Sequence, residues 1–476
     1  PGGSAGTFYH KGYRFDAGAT LAGGFAPGAV MERIGQYFNI DWQSSLSSRG
    51  MLVHLKDGSM ITRWTNAEQW KSERIMHFGK EAENFWEWQE ASADLLWDFA
   101  FRLPEWPPQS PMDYYLLAQK GYAWLNSTSS FSQPRRTGAL ILDAFRQVSA
   151  HLPQPAEKLR QFVDAQLLIS AQTTSGHANA LYGSAALDLA RQGVAHVPGG
   201  MGGMADKLVE VIRENGGQVY FRQEVLSVSR DRQGRFVAKT KRKQEFDADI
   251  VIFNLPPWNV AKIFGDKLPS WLKELPNAWN SGWGAFMLYI GLDSSGVDDD
   301  LPLHHQVVLG EPLGEGNSIF LSLSPGWDPS RAPAGKRAIT ISTHTNLEPW
   351  WQLFYNDRPA YEERKKVYTE RVFAGAERVL KDIKTAAELV MPGTPIAFQR
   401  FTRRHHGWVG GFPQTSLFRT RGPRLTSGVW MVGDSVFPGQ SVPAVVLAGL
   451  RVARAVEQYE GFASPGKKVT GYSEFN

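Results

Sequence analysis

Gly433-Asp434 places a carboxylate at the end of a short apolar run, Gly428-Val429-Trp430-Met431-Val432. After the loop 435–440 a helix is expected to begin near Ser441-Val442-Pro443 and to run to about Gln458. A serine closely followed by proline suits a helix N-terminus, where unpaired backbone N–H groups and the helix dipole favour negative charge. The chemistry this pattern offers is anion binding. An ordinary strand–loop–helix turn would read similarly, but a carboxylate at a strand's C-terminal end beside a glycine-rich helix start is a ligand-site geometry in open α/β sheets.

Two further glycine-rich blocks carry weaker signals. Gly200-Met201-Gly202-Gly203-Met204-Ala205 fits G-x-G-x-x-A, precedes a helix expected over 206–215, and is followed by Glu224 at about the offset of a ribose-binding acid. Its preceding strand would be only Val194 to Val197, and Pro198-Gly199 intervenes, so this fingerprint alone does not establish pyrophosphate binding. At the start of the chain, glycines at 2, 3, 6, 12 and 18 surround Tyr13-Arg14-Phe15-Asp16-Ala17-Gly18-Ala19-Thr20, which says that this backbone passes close to something. His405 and His406, ahead of Gly410-Gly411, are candidate proton acceptors, with solvated polar residues as the alternative. His304-His305 reads as a loop without a third ligand nearby, so no metal site is expected.

These residues need a large scaffold to position them. The chain has 476 residues, with 51 Lys+Arg against 47 Asp+Glu, 17 Trp and no cysteine. That length suggests two or three domains. The absence of cysteine excludes disulfides, thiolate zinc sites, Cys-ligated iron–sulfur clusters and a cysteine nucleophile. A net charge of +4 is too small and dispersed to predict nucleic-acid binding. The basic run Lys239, Lys241, Arg242, Lys243 reads as a solvated hairpin edge, and no apolar stretch is long enough to span a membrane. The first residues resemble neither a signal peptide nor an initiator segment, so the chain is expected to start mid-structure.

Phe85, Trp88, Ala91, Leu95 and Phe99 recur at helical spacing and predict an amphipathic helix within a tryptophan-rich helical stretch over roughly 66–190. Strands are expected at Phe286 to Ile290, Ile319 to Leu323, Ala338 to Ser342 and Ile396 to Phe401, with a long helix at about 359–382 before the last. The resulting fold class is α/β: a Rossmann-like, nucleotide-type domain assembled from discontinuous segments, with an inserted α+β substrate domain and a helical region.

Four blocks in order carry a family resemblance: P-G-G-S-A-G-T-F with Y-R-F-D-A-G-A-T at 1–20, H-V-P-G-G-M-G-G-M-A-D-K-L with E-V-L-S-V at 196–228, D-A-D-I-V-I-F-N-L-P-P at 247–257, and V-W-M-V-G-D-S-V-F-P-G-Q-S-V-P-A-V at 429–445. F-x-R-F-T at 398–402 and G-W-V-G-G at 407–411 extend it. Over essentially its whole length the sequence resembles the FAD-dependent phytoene desaturase and carotenoid isomerase family of the flavin amine oxidase superfamily, and is closest to its carotenoid 3,4-desaturase branch.

The resemblance implies a GR2-type FAD-binding domain from 1–65, 193–265 and 405–476, and a substrate domain from 66–192 and 266–404. It implies that Gly2 and Gly3 line the adenosine–pyrophosphate side of FAD, that Val225 meets adenine through its backbone, and that Gly433 and Asp434 take the pyrophosphate and ribityl chain. Pro438, Gly439, Gln440, Ser441 and Val442 would lie under the pyrimidine edge of the flavin, where a helix N-terminus favours the negative charge of the reduced ring. The Gly200 motif then becomes a helix start. The family's opening G-x-G-x-x-G unit and ribose-binding acid precede its P-G-G, whereas this sequence opens at P-G-G. Poor FAD binding is therefore expected unless that unit is supplied separately.

The implied activity is desaturation or cis–trans isomerisation of a carotenoid or other long isoprenoid, by hydride transfer to flavin N5, in the cytoplasm with peripheral membrane contact. Trp86, Trp88, Trp97, Trp106, Trp279, Trp283, Trp350 and Trp351 supply candidates for two or three walls of an apolar tunnel. An amine oxidase-type enzyme on a polar substrate and a truncated, non-catalytic isoprenoid binder are the alternatives. The electron acceptor and the oligomeric state are not encoded in any recognisable motif.

Overall fold

Phe286, Leu288, Ile290 and Leu292 face one side of strand Gly284–Asp293, and Ala285, Met287 and Tyr289 face the other. Side chains alternate across a strand, so the continuous apolar run reflects burial on both faces. The computed structural model describes residues 2–127, 141–265 and 268–463. In it this strand lies in a seven-stranded sheet with the order Ala387–Gly393, Gly284–Asp293, Lys336–Thr345, Ser318–Leu323, His304–Val308, Arg49–His54, Met60–Trp64. All neighbours are antiparallel except His304–Val308 and Arg49–His54, which pair in parallel. The hairpin 49–64, grouped above with segment 1–65, is therefore hydrogen-bonded into the sheet built by 284–345 and 387–393.

One face of the sheet is covered by helices Leu347–Asn356 and Arg358–Ala376, whose Trp350, Tyr361, Tyr368 and Val372 pack on Phe286, Leu288 and Ile290. Trp350 stacks on Phe286 at 5.7 Å. Each such buried aromatic or aliphatic side chain contributes about 1.5–3 kcal/mol. A second core joins the sheet's other end to the helical region: Trp70, Phe85, Trp86 and Phe162 cluster with Val53, Leu55 and Ile61, and Trp70 meets Trp86 edge to face at 5.0 Å.

The helix expected from the 85/88/91/95/99 pattern spans Glu83–Phe101, but its buried residues are Phe85, Trp86, Gln89, Ser92, Ala93, Trp97 and Ala100. The buried stripe is rotated relative to the expected one, because neighbouring helices cover Gln89 and Ser92 while Ala91 faces solvent. Ile396 to Phe401 is not a strand. It lies in helix Pro395–Thr402, started by Thr394, whose Oγ1 accepts the Ala397 N–H at 3.4 Å, and by Pro395 at the first helical position.

His304-His305 is likewise not a loop but the start of a fully buried strand. His305 Nε2 contacts the Pro302 carbonyl at 2.8 Å, so it carries the proton, and His305 Nδ1 accepts from His54 Nε2 at 3.2 Å. Among the described residues no group of three His, Cys, Asp or Glu could hold a metal, and no helix is long and apolar enough to cross a membrane. The basic run is a solvated hairpin, though not at a sheet edge, since Lys239 lies on the central strand Phe236–Thr240 and residues 241–243 form the turn; Lys239 pairs with Glu245 at 2.8 Å and Lys241 with Glu224 at 3.7 Å.

Candidate functional site

Strand Val429–Met431 pairs in parallel with Val251–Phe253 and antiparallel with Arg424–Thr426, and Gly433-Asp434 follows its C-terminal end. Gly433 has φ +107°, and a Cβ there would lie 2.5 Å from Asn254 Oδ1, so this turn requires glycine. The helix Val442–Ala463 starts where its sequence signals place it and runs five residues beyond Gln458. Ser441 caps it, with Oγ accepting the Ala444 N–H at 3.3 Å.

Arg404 Nη2 lies 2.9 Å from Asp434 Oδ2, and Ser435 Oγ donates to the other carboxylate oxygen at 3.0 Å. The same guanidinium donates to the carbonyls of Trp408 and Gly410, both at 2.8 Å. Its neighbour Arg403 reaches the other way, 3.5 Å from Glu224. One Arg-Arg dipeptide thus spans the start of the E-V-L-S-V strand and the Gly-Asp turn, two blocks that the sequence holds more than 200 residues apart. Val225 begins strand Val225–Arg230, pairs with Thr240, and is partly exposed.

Gln440 Oε1 accepts the Gly411 N–H at 2.8 Å, which fixes the orientation of the amide and leaves Nε2 buried without a partner. Two clefts meet at this loop. The first is lined by Leu96, Trp97, Phe99 and Ala100 of one helix, by Tyr182, Ala185 and Ala186 of another, and by Leu417, Phe437, Pro438, Gln440, Ser441 and Ala444. Among the described residues no charged side chain lines it. The second is lined by Asp434, Ser435, Pro438 and Gly439 together with Arg419, Arg421, Thr415 and Thr420. Burial pushes the Tyr182 hydroxyl pKa upward, so the phenol remains neutral beside both clefts.

Of the remaining residues singled out in the sequence, Gly2, Gly3, Val225 and Val442 line neither cleft. Gly2 and Gly3 both take positive φ at a short turn, and Ala5 beside them packs into the core that includes Met201 and Leu447. Val442 is packed at the edge of the same core. His405 and His406 line neither cleft. His405 stacks against Trp258, and His406 sits between Trp279 and Trp351 at 5.2 and 5.3 Å. Burial, reinforced by His406 and Lys262, pushes His405 down to about 4, and burial lowers His406 as well.

The Gly200 motif starts helix Met201–Glu214, five residues before the expected 206, and its amide end is filled from within the chain. Met201 N–H donates to Asp16 at 2.9 Å and Gly199 N–H to Asp328 at 3.0 Å, while Asp16 pairs with Arg331 at 2.8 Å. Of the eight candidate tryptophans, only Trp97 lines a described cleft; Trp86 and Trp350 are packed in cores. Arg404 and the wall residues Leu96, Tyr182 and Ala185 were not singled out by sequence reasoning. The signal available for the wall was the presence of apolar residues on the second, partly buried face of helix Glu83–Phe101.

A family model described as "Flavin containing amine oxidoreductase" matches residues 1–457. The chain belongs to that family of flavin enzymes. This membership agrees with the α/β fold class expected from the motifs. Among curated proteins, the chain is 27% identical to prolycopene isomerase 2, chloroplastic, of an Oncidium hybrid cultivar, covering 97% of this chain and 79% of that protein. It is 26% identical to the chloroplastic prolycopene isomerase of Arabidopsis thaliana, covering 96% and 77%. Among solved structures, a putrescine oxidase variant redesigned in cofactor binding superposes with a TM-score of 0.57 at 14% identity, covering 96% of this chain and 91% of that one. The structural likeness shows the fold of this flavin family.

Proposed function

We propose that this chain is an FAD-dependent oxidoreductase that isomerises or desaturates a carotenoid or another long isoprenoid. The observation that carries this reading is the first cleft: an apolar space without a charged lining residue, walled on one side by Pro438, Gln440 and Ser441 of the loop expected to face the flavin. A substrate with a cationic amine would enter this space without a counter-charge, which is costly. A polyene loses nothing there.

The residues present fit a flavin. Buried Gln440 Nε2 offers an unused donor for a ring carbonyl, and the start of helix Val442–Ala463 provides a positive dipole end. Gln440 and Ser441 would hold the group, which when bound supplies a two-electron hydride acceptor and donor. Trp97, Phe99, Ala185 and Leu417 would keep water from the reacting carbons and align the chain, so that positioning supplies much of the rate. His405 and His406 stay in the aromatic cluster, and no proton transfer is assigned to them. The cleft encloses about 60 Å³, so its side-chain walls must part for a polyene.

Peripheral contact with the membrane that stores the substrate belongs to this reading. It is supported by exposed Ile141, Leu142, Phe145 and Phe418, the last adjoining the cleft residue Leu417.

The test is the visible spectrum of the chain after incubation with FAD and removal of free flavin, followed by reaction with prolycopene and with phytoene under anaerobic conditions. Flavin bands together with a changed polyene spectrum are expected once the opening G-x-G-x-x-G unit is supplied, and weaker bands without it. Flavin bands with turnover of putrescine and not of polyenes would replace this reading by an amine oxidase.

A further inference from the structure

Asp434 stands where an anionic cofactor would be repelled. A carboxylate beside a diphosphate opposes binding through like charge, most strongly in a partly buried cleft. In this chain the carboxylate does not stand alone. Arg404 lies 2.9 Å from it, and only 12% of the arginine side chain is exposed.

We propose that Arg404 is the counter-charge of the cofactor site, cancelling Asp434 so that the cleft beside it takes a ligand carrying a diphosphate. The inference rests on the flavin reading above and deepens it. Three observations support it. The guanidinium is held by acceptors that are not part of any ligand, the carbonyls of Trp408 and Gly410, and lies over the Trp408 ring at 5.6 Å. It is therefore fixed in place rather than drawn to Asp434 from solvent. Among the described residues Asp434 is the only acidic one lining the second cleft, which also presents Arg419 and Arg421. With Asp434 neutralised, the two arginines of the lining act unopposed, and the hydroxyls of Thr415, Thr420 and Ser435 add donors of the kind that solvate phosphate oxygens. Finally, Arg403 is engaged with Glu224, so the two arginines are not interchangeable.

The role is one of positioning and charge, and binding reads it without turnover. The dissociation constants of FAD and riboflavin are measured by fluorescence quenching for the unaltered chain, Arg404→Leu, Arg404→Lys, and the double variant Arg404→Leu/Asp434→Asn. Riboflavin has the same ring and no phosphate. Arg404→Leu is expected to weaken FAD roughly tenfold to a hundredfold while riboflavin affinity is unchanged. Arg404→Lys retains most of the FAD affinity, and adding Asp434→Asn to Arg404→Leu restores it. Inorganic pyrophosphate should compete with FAD and not with riboflavin.

Equal weakening of both flavins by Arg404→Leu, without rescue by Asp434→Asn, would overturn the proposal in favour of a purely structural clamp. Unchanged FAD affinity in every variant would overturn it as well. If the unaltered chain binds neither flavin even when the opening G-x-G-x-x-G unit is supplied, the functional reading itself falls, an outcome distinct from either of these.

Discussion

Gln440 Oε1 accepts the backbone N–H of Gly411 at 2.8 Å, tying the start of the terminal helix to the G-W-V-G-G turn across 29 residues of sequence. Gln440→Leu leaves that buried N–H without an acceptor and removes the free Nε2 donor. We expect a stability loss of about 1–3 kcal/mol and weaker FAD binding, read from urea unfolding midpoints and flavin fluorescence. An unchanged midpoint would show that water replaces the amide.

Gly411 itself admits no side chain. A Cβ would lie 2.0 Å from the Asp434 carbonyl oxygen, a contact that only backbone movement relieves. Gly411→Ala should destabilise by about 1–3 kcal/mol and displace the Gly-Asp turn, with loss of flavin retention on a desalting column. Full retention with wild-type stability would contradict the close approach of these two turns.

Burial pushes His304 and His305 down to about 3 and His344 down to about 4, from an ordinary value near 6.5. The unfolded chain therefore binds more protons than the folded one between about 6.5 and these values. Stability is full above pH 6.5 and falls as pH drops through that window, by up to about 1.4 kcal/mol per pH unit for each histidine. Denaturant midpoints at pH 7.5 and pH 5 should differ accordingly. Substituting His305 by Gln should reduce the difference, and a flat profile would sink the argument.

Leu417 lines the apolar cleft beside exposed Phe418. Leu417→Asp places a charge in a wall that has none. Turnover of a polyene should fall by roughly tenfold or more while the bound-flavin spectrum is kept. Equal turnover would place the substrate elsewhere.

Thr394 Oγ1 accepts the Ala397 N–H and hydrogen-bonds Tyr361 at 2.8 Å. Thr394→Ala should cost about 0.5–2 kcal/mol in thermal or urea unfolding, whereas Thr394→Ser should preserve most of the stability. Equal losses in both would mean that the cap contributes through its methyl group.

Much of the scaffold was legible because its signals are local. The strand at Phe286 to Ile290 and the helix near 359–382 are read from periodicity, and the terminal helix from Ser441 and Pro443. Ile396 to Phe401 misled because its apolar, aromatic-rich run outweighed the Thr394-Pro395 cap, which decides the structure. His304-His305 misled because polar residues looked like loop, while their hydrogen-bond partners come from Ser322 and from His54 on a distant strand. The glycine blocks marked where the backbone turns. They could not disclose that Arg404 meets Asp434, or that Leu96 and Tyr182 share a cleft, because such meetings are set by the packing of distant segments.

The parallel pairing of Arg49–His54 with His304–Val308 gives this protein a problem of timing. His54 meets His305 across 251 residues, and at a synthesis rate of about 5–20 residues per second the hairpin 49–64 waits roughly 10–50 s for its partner strand. Until then the edge of Arg49–His54 carries unpaired backbone groups able to recruit any extended segment nearby. So long a closure also makes refolding from denaturant slow, because the entropy of the intervening loop is lost before the pairing rewards it. During synthesis, the strand edge at Arg49–His54 stays open until His304–Val308 has emerged.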